Sequence, residues 1–391
     1  MSLDIAALRA ETPGCRHVMH FNNAGASLQP QPVLDTMITH LKLEGEIGGY
    51  EAADQMEERH EAVYGSIAKL INCAADEVAL IENATRAWDM AFYSLQFRPG
   101  DRILTSIAEY ASNYIAFLQV ARRSGAEIIA IPNDAHGQIS VAALESLIDA
   151  RVKLIAVTHV PTNGGLINPA AAIGTVARRH GIPFLLDACQ SIGQLQIDVQ
   201  AIGCDMLSAT GRKYLRGPRG TGFLYVRRAM LEQLEPPFLD LHAATWVAED
   251  RYEMLPDARR FENWESGIAG RLGLGAAVDY ALALGMGEIE GELRRKAAFL
   301  RQQLAALPGI TVHDIGEQKG GIVTFSKAGI DVTEIKSALN KARVNVSISG
   351  QSSTYLDMTA RQLDQIIRAS VHYFNTEEEI EQLCRVVGEL T

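Results

Sequence analysis

The sequence has few cysteines and no excess of basic charge. Only five of its 391 residues are cysteines, and no two of them form a Cys-x-x-Cys pair. This spacing argues against a disulfide framework and a structural zinc site, so we expect no metal and a reducing, cytoplasmic environment. The formal net charge is −11 and no basic stripe is present, which argues against nucleic acid as a partner.

Several familiar segments are also missing. The first fifteen residues lack the basic-then-apolar pattern of a signal peptide, and no apolar run is long enough to span a bilayer. No Gly-x-Gly-x-x-Gly follows an early strand. The stretch around Lys213 is not a Walker loop, because Arg212 rather than glycine precedes the lysine. We therefore expect no membrane partner and disfavour a dinucleotide-binding protein.

What the sequence does contain is a regular alternation of apolar strands and amphipathic helices between Val78 and Val226. Strands that are apolar throughout and separated by helices predict a parallel sheet covered on both faces. The length of the chain indicates two or three domains. We predict an α/β fold in which residues 21–255 form the large domain.

The last third of the chain has a different pattern. It predicts one long helix from about Gly270 to Leu307, strands at Gly321–Ser326 and Asn345–Ser349, and two final helices. Short strands mixed with helices are typical of a smaller α+β domain. We assign this domain to residues 256–391, together with 1–20.

Three polar positions lie where a ligand is expected. Ligands of open α/β sheets bind at the carboxyl ends of the strands. Asp187 directly follows the apolar run Ile182–Leu186, and Lys213 follows a strand-like stretch. Ala84 and Thr85 open a helix, where backbone N–H groups and a hydroxyl can hold an anion. Taken singly, each position also fits an ordinary cap or a solvated side chain.

Together, these groups meet the requirements of one cofactor, pyridoxal 5′-phosphate (PLP). PLP needs a phosphate site, a carboxylate that keeps its pyridine nitrogen protonated, and a lysine that forms a Schiff base. The protonated ring stabilises a carbanion at the substrate's α-carbon, and the lysine amine then moves protons. We predict that Lys213 forms the Schiff base and that Asp187 pairs with the ring nitrogen.

These residues lie in motifs that resemble the class V aminotransferase family, which includes the cysteine desulfurases. The resemblance extends from Phe21-Asn22-Asn23-Ala24-Gly25 to Arg368-Ala369-Ser370. It implies the PLP-dependent transferase fold type I, with a large domain built on a mainly parallel sheet and a small C-terminal domain. It also implies an amino-acid substrate and a homodimer with active sites near the interface.

The resemblance assigns roles around the cofactor ring. Gln190, in Leu186-Asp187-Ala188-Cys189-Gln190, matches the residue that hydrogen-bonds the ring's phenolic oxygen, and Asn163 resembles a second ligand of that oxygen. Tyr110, in Glu109-Tyr110-Ala111-Ser112-Asn113, takes the place of a histidine that stacks on the ring.

It also assigns roles around the phosphate and the substrate. Thr85 with the Ala84 backbone, Thr210 and Arg212 match phosphate contacts. Arg368 matches the clamp on the substrate's α-carboxylate, because a guanidinium fits a carboxylate bidentately. Asn23 is expected to border the substrate.

Two departures from the family pattern bear on the reaction. Desulfurases that store a persulfide carry a cysteine on a loop before the carboxylate arginine, but Asn345–Tyr355 contains none. A persulfide relay is therefore disfavoured. Glu265 stands near the place of a Gly-Thr pair that reaches the other subunit's phosphate, so Ser266 or Gly267 is the remaining candidate for that contact.

The stretches Phe261–Glu265 and Gly211–Gly220 resemble the branch that contains isopenicillin N epimerase-like proteins and carbon–sulfur lyases. The leading expectation is β-elimination from a cysteine-derived amino acid, which yields pyruvate and ammonia. Lys213 would remove the α-proton, and Tyr110 would stack and assist the leaving group. Epimerisation or racemisation, transamination, and a non-catalytic PLP-binding protein remain alternatives.

Overall fold

The computed structural model describes residues 3–390, which form fifteen helices and fifteen strands besides four short 3-10 turns. The helices are α1 (Ile5–Ala10), α2 (Gln31–Ile47), α3 (Gly49–Gln55), α4 (Glu57–Ile71), α5 (Ala84–Phe92), α6 (Ala111–Ser124), α7 (Val141–Leu147), α8 (Ala170–His180), α9 (Val199–Ile202), α10 (Arg228–Leu231), α11 (Ile268–Leu284), α12 (Met286–Ala305), α13 (Val332–Lys341), α14 (Tyr355–Ala360) and α15 (Glu377–Gly388). The strands are β1 (Met19–His20), β2 (Val78–Ile81), β3 (Arg102–Ser106), β4 (Glu127–Ile131), β5 (Val152–Thr158), β6 (Phe184–Asp187), β7 (Met206–Thr210), β8 (Gly222–Val226), β9 (Ala244–Ala248), β10 (Arg251–Met254), β11 (Ile310–Val312), β12 (Ile322–Lys327), β13 (Val344–Asn345), β14 (Ser347–Gly350) and β15 (Gln365–Ser370).

The large sheet has seven strands in the order β2-β8-β7-β6-β5-β3-β4. Only β8 runs against its two neighbours, and the other strands share one direction. The middle strands are buried along nearly their whole length, as expected for a sheet with helices on both faces. The predicted α/β fold with a mainly parallel sheet is confirmed.

The strand register brings the site residues to one edge of this sheet. Thr158 at the end of β5 pairs with Asp187 at the end of β6, and Asp187 pairs in turn with Ser208 of β7. Parallel strands end at the same edge, so the loops that follow these three strands converge. This edge carries the cavity described below.

The helices between these strands end where the sequence supplies glycine. Gly125 follows α6 with a φ of 77°, and Gly181 follows α8 with a φ of 63°. This left-handed conformation strains a side chain but suits glycine, so each glycine stops its helix and turns the chain back towards the sheet.

The second sheet, called the small sheet below, is antiparallel, with strand order β11-β12-β15-β14. It confirms the smaller α+β unit but corrects two details. The predicted strand Asn345–Ser349 is divided between β13, which pairs with β1, and β14, which pairs with β15. The two predicted final helices exist as α14 and α15, and strand β15 lies between them.

The predicted single helix over Gly270–Leu307 is wrong. It is two helices, α11 and α12, which meet at 81° across Gly285, a residue with a φ of 85°. Helix α11 packs on α2 and α4, whereas α12 packs on α15 and the small sheet. This packing favours a domain boundary near Gly285, and the division after residue 255 stays a prediction.

The N-terminal segment contacts helix α15 near the small sheet and the loop between β7 and β8 of the large sheet. Arg9 forms an ion pair with Glu379 of α15 at 2.7 Å, and Thr12 accepts a hydrogen bond from Arg216 at 2.6 Å. Within residues 3–390, no single helix has the length and apolar character of a membrane span. The pair α11 and α12 meets that test only when the two are taken together, across their 81° bend.

Candidate functional site

A partly open cavity lies at the carboxyl ends of the central strands. It is lined by six of the residues predicted from the sequence, which are Ala84, Thr85, Tyr110, Asp187, Gln190 and Lys213. Five further residues complete the lining, namely Asn113, Thr158, Val160, Thr162 and Cys189. The structure therefore brings together groups that are up to 129 positions apart in the sequence, from Ala84 to Lys213.

Asp187 ends strand β6 as a buried carboxylate in the cavity wall. Its Oδ2 accepts a hydrogen bond from Asn113 Nδ2 at 2.9 Å, and its Oδ1 accepts one from the backbone N–H of Cys189 at 2.8 Å. Burial nevertheless raises the pKa of Asp187, because these two hydrogen bonds and the nearby Lys213 offset only part of the desolvation. Such a carboxylate is suited to a cationic ligand.

Lys213 lies in the turn between β7 and β8, with its side chain buried. Burial is the main cause that lowers the pKa of its amine, and the cations Arg212 and Arg368 lower it further. The thiol of Cys189 lies within hydrogen-bonding reach of this amine. A lowered pKa favours the neutral amine, which is the form that can attack an aldehyde or accept a proton.

The start of helix α5 forms another wall. Asn83 caps the helix by accepting a hydrogen bond from the backbone N–H of Arg86 at 3.0 Å, so the capping position belongs to Asn83 and not to Thr85. Strand β8 approaches closely because it has Gly222 there, where a Cβ would lie 3.3 Å from the nitrogen of Ala84. The exposed Thr85 and the first turn of α5 lie together at a helix N-terminus, where an anion would be favoured, and the phosphate contact of Thr85 stays a prediction.

Tyr110 and Gln190 reach the cavity from two different loops. Tyr110 immediately precedes helix α6 and is half-buried in the cavity wall. Gln190 donates from Nε2 to the carbonyl of Ala24 at 3.1 Å and to Thr162 Oγ1 at 3.3 Å. Its Oε1 is buried without a partner, which identifies a polar group that a bound ligand can satisfy.

Arg368 is on strand β15 of the small sheet, not on a surface helix. Its Nη1 donates to Thr162 Oγ1 at 2.7 Å and to the Thr162 carbonyl at 3.2 Å. Its Nε is buried without a partner, and no carboxylate of the described chain is among the groups that act on its charge. Burial lowers the pKa of Arg368. A buried guanidinium without an acid is costly unless a ligand supplies the carboxylate.

Three predicted cofactor ligands donate hydrogen bonds within the chain, although Asn163 Oδ1 is buried without a partner. Thr210 Oγ1 donates to the carbonyl of Thr221 at 3.2 Å, and Arg212 donates to the carbonyl of Gly25. Asn163 Nδ2 donates to Thr354 Oγ1 at 2.9 Å and to the carbonyl of Gly350 at 3.1 Å. Their predicted contacts with the phosphate and the phenolic oxygen therefore stay predictions.

Asn23, the predicted neighbour of the substrate, is fully buried and has its side chain occupied. Its Nδ2 donates to the carbonyls of His20 at 3.1 Å and Ser370 at 2.8 Å, and its Oδ1 accepts from Ser27 Oγ at 2.7 Å. The side chain positions the 20–27 loop, and its predicted place beside the substrate stays a prediction.

Three residues that connect the site were not predicted from the sequence. Asn113 and Glu109 lie in the motif quoted for Tyr110, but only the structure shows that both connect to Asp187. Thr162 joins Gln190 to Arg368 through one hydroxyl. The available signal for Thr162 was a polar residue in the loop after a buried strand, four positions beyond the end of β5.

The cavity fits PLP on this chain's own features. It offers a buried carboxylate with a raised pKa, an amine with a lowered pKa, a helix N-terminus and an unpartnered amide oxygen at Gln190. Each meets one part of the cofactor: the ring nitrogen, the aldehyde, the phosphate and the phenolic group. Tyr110 supplies an aromatic face.

The comparisons with known proteins agree with the fold and with PLP as the cofactor. A probable cysteine desulfurase from Xylella fastidiosa is 32% identical over 396 residues, covering 97% of this chain and 94% of the relative. The apo structure of a cysteine desulfurase from Thermococcus onnurineus NA1 superposes with a TM-score of 0.92 at 25% identity, covering 100% of this chain and 98% of that one. The cystine C–S lyase C-DES, solved with its product cysteine persulfide, shares the fold with a TM-score of 0.87 at 24% identity, covering 97% of this chain and 99% of that one. The family model for class V aminotransferases matches residues 19–383, and the chain belongs to that family of PLP-dependent, fold type I enzymes.

Proposed function

We propose that this enzyme cleaves a carbon–sulfur bond in a cysteine-derived amino acid by β-elimination, yielding pyruvate and ammonia. The observation that carries the proposal is the composition of the segment that packs against Asn163. Gly350 and Thr354 receive its hydrogen bonds, and no cysteine occurs between Asn345 and Tyr355. The site has the groups for PLP chemistry on an amino acid but lacks a loop thiol to receive sulfur.

PLP, when bound, supplies the electron sink that makes the α-proton of an amino acid acidic. The chain's residues then have separate tasks. Arg368 binds the α-carboxylate through the guanidinium nitrogens left free of acid partners. Lys213, whose pKa is lowered, accepts the α-proton on Nζ. Asp187 holds the positive charge of the ring nitrogen from the end of β6.

Desulfuration, the activity in the names of the relatives, is the second candidate. It transfers sulfur to a thiol nucleophile and leaves alanine. Among the described cysteines, only Cys189 lines the cavity, and burial raises the pKa of its thiol. A thiol with a raised pKa is a weak nucleophile at neutral pH, so the cavity favours release of the sulfur group over its capture.

Epimerisation and transamination start from the same carbanion. They differ in the atom or face to which the proton returns, and Lys213 is the base that we propose would deliver it. The contacts within the cavity are the same for these two reactions and for elimination, so an assay of the products distinguishes the three.

The test is a product assay on L-cysteine, L-cystine and S-substituted cysteines with their sulfoxides. Pyruvate and ammonia in equal amounts support elimination, and Lys213→Ala should abolish both whereas Lys69→Ala, at an exposed helical position, should not. Alanine with a sulfur-loaded thiol acceptor would replace the proposal by desulfuration. Loss of optical rotation without a new product, or strict dependence on a keto acid, would replace it by epimerisation or transamination.

We further propose that a second copy of the chain covers an aromatic surface beside the cofactor cavity. The large apolar side chains of the 238–264 segment are mostly solvent-exposed, namely Phe238, Leu241, Trp246, Tyr252 and Trp264. The guanidinium of Arg86 lies 5.1 Å from the Phe238 ring, and Arg86 is next to Thr85 of the anion site. An exposed apolar patch of this kind is typical of an interface, and the patch reaches the cavity edge.

A further inference from the structure

Glu109 is a buried carboxylate that neither the cofactor nor the substrate is expected to touch. It lies between strand β3 and helix α6 and is 3% exposed. Each of its oxygens accepts three hydrogen bonds. The donors to Oε2 are Thr105 Oγ1 (3.1 Å), Ser106 Oγ (3.1 Å) and the Thr158 N–H (3.0 Å), and the donors to Oε1 are Asn113 Nδ2 (2.8 Å), the Tyr110 N–H (3.2 Å) and Thr158 Oγ1.

One of these donors leads to the cofactor cavity. Asn113 Nδ2 also donates to Asp187 Oδ2 at 2.9 Å, so a single amide group joins two buried carboxylates. An amide NH₂ carries two hydrogens, one for each carboxylate. The connection Glu109–Asn113–Asp187 is fully buried, and no water is needed to complete it.

The two carboxylates are unequally satisfied. Glu109 accepts six hydrogen bonds, whereas Asp187 accepts two and faces the cavity. Burial raises the pKa of both groups, and the hydrogen bonds from Thr158 and Asn113 work against that rise at Glu109. Three of the six partners of Glu109 are N–H groups, which can only donate and therefore favour the ionised carboxylate, whereas the three hydroxyls can donate or accept.

We propose that Glu109 is a positioning residue that acts on PLP through Asn113 and Asp187. Glu109 fixes the Asn113 amide so that an N–H, and never the carbonyl oxygen, faces Asp187. Its negative charge lies behind Asp187 in a buried region of low polarity, where it strengthens the hold on a protonated ring nitrogen. The inference depends on PLP as the cofactor and is independent of which reaction follows.

A purely structural reading gives Glu109 the task of joining β3, β5 and α6. The two readings differ in what the removal of Glu109 does. If Glu109 only joins these elements, Glu109→Gln changes nothing at the cofactor, whereas Asn113→Ala still removes one of the two hydrogen bonds that Asp187 accepts. If it acts through Asn113, removal of either side chain changes the cofactor in the same way.

The experiment uses the holoenzyme and follows cofactor absorbance against pH, together with PLP affinity of the apoenzyme. The variants are Glu109→Gln, Asn113→Ala and the double variant, and the matched control is Ser106→Ala. The control removes one hydrogen bond to Oε2 of Glu109 and leaves the connection to Asp187 intact.

Loss of negative charge behind Asp187 makes the protonated cofactor less stable, so the midpoint of the absorbance change should move to lower pH by about one unit. PLP affinity should fall about tenfold, which corresponds to that shift. Glu109→Gln should show these changes through the lost charge, and Asn113→Ala should show them because Asp187 loses an N–H donor that favours its ionised form. The double variant should show no more than the larger single change, and the control should resemble the unaltered enzyme.

Unchanged midpoint and affinity in Asn113→Ala would overturn the proposal. An equal shift in Ser106→Ala, or a double variant whose shift is the sum of the single ones, would also overturn it. Gln at position 109 must place its NH₂ group against a backbone N–H of Thr158 or Tyr110, and this can prevent folding. In that case Glu109→Asp, which keeps a carboxylate but withdraws it from the Asn113 amide, takes its place, and an unchanged midpoint and affinity in that variant would overturn the proposal.

Discussion

Arg368 on the small sheet and Thr162 after strand β5 of the large sheet are joined at 2.7 Å through the threonine hydroxyl. The same hydroxyl accepts from Gln190 at 3.3 Å. Arg368, the expected substrate clamp, and Gln190, the expected ligand of the phenolic oxygen, therefore donate to one hydroxyl. If these two roles hold, a shift of the small sheet relative to the large one would disturb both contacts and link substrate binding to cofactor binding.

The first prediction concerns Arg368. We expect Arg368→Gln to lower kcat/KM about ten- to a hundredfold, mainly through KM, because a charged hydrogen-bonding partner of the α-carboxylate is lost. The apoenzyme should be at least as stable as the unaltered protein, since a buried guanidinium without an acid partner is removed.

Steady-state kinetics and urea unfolding measure the two effects, with Arg385→Gln on the exposed face of α15 as the control. A variant that loses stability together with activity would give Arg368 a structural role. Unchanged KM would remove it from the substrate site.

The second prediction concerns the pH dependence of apoenzyme stability. Burial lowers the pKa of Lys213 in the folded chain, whereas the unfolded chain keeps the ordinary value. Between these two pKa values the unfolded state binds the proton and the folded state does not. Stability contributed by this group therefore increases as pH rises through that window, and the penalty is complete below it.

Lys213→Met should raise apoenzyme stability at neutral pH and flatten its dependence on alkaline pH, because Met has no charge to desolvate. Urea unfolding of the apoenzyme at several pH values measures this, and Lys69→Met at an exposed position should change neither quantity. Parallel pH curves for Lys213→Met and the unaltered chain would show that the amine is not desolvated.

Much of the site could be predicted because its residues follow buried strands. Asp187 and Lys213 come directly after or soon after apolar runs, and parallel strands bring their ends together. The direction of a side chain is harder to predict. Arg212 is next to Lys213 in sequence, yet it turns to the Gly25 carbonyl, and no local pattern encodes that partner.

The missed elements have physical reasons as well. The segment 270–307 is continuously helical in pattern, and a single Gly285 in a left-handed conformation divides it. Strand β15 is short and lies between two helices, so its apolar residues resemble a helix turn until β12 and β14 pair with it. Both features depend on contacts between residues far apart in the sequence.

The third prediction concerns the proposed dimer. We expect Trp246→Glu to shift the protein from dimer to monomer, since it places a charge at a 78% exposed tryptophan, the most exposed large side chain of the aromatic surface. PLP affinity should fall with dissociation, because the surface reaches Arg86 beside the anion site.

Sedimentation velocity and PLP titration measure both changes, and Thr333→Glu on the exposed face of α13 is the matched control. An unaltered sedimentation coefficient in Trp246→Glu would place any dimer contact elsewhere. Monomers with unaltered PLP affinity would separate the interface from the cofactor site.

The last prediction separates the two tasks assigned to Tyr110, stacking on the cofactor ring and assistance to the leaving group. Tyr110→Phe keeps the aromatic face and removes the hydroxyl, whereas Tyr110→Ala removes both. If the ring stacks, PLP affinity should be kept in Tyr110→Phe and fall about three- to tenfold in Tyr110→Ala, the usual range for an aromatic contact.

If the hydroxyl assists the leaving group, Tyr110→Phe should lower kcat at unchanged KM, and most strongly for the substrates with the poorest leaving groups. A Tyr110→Phe enzyme with full kcat on every substrate would limit Tyr110 to stacking, and equal PLP affinity in Tyr110→Ala would exclude stacking too.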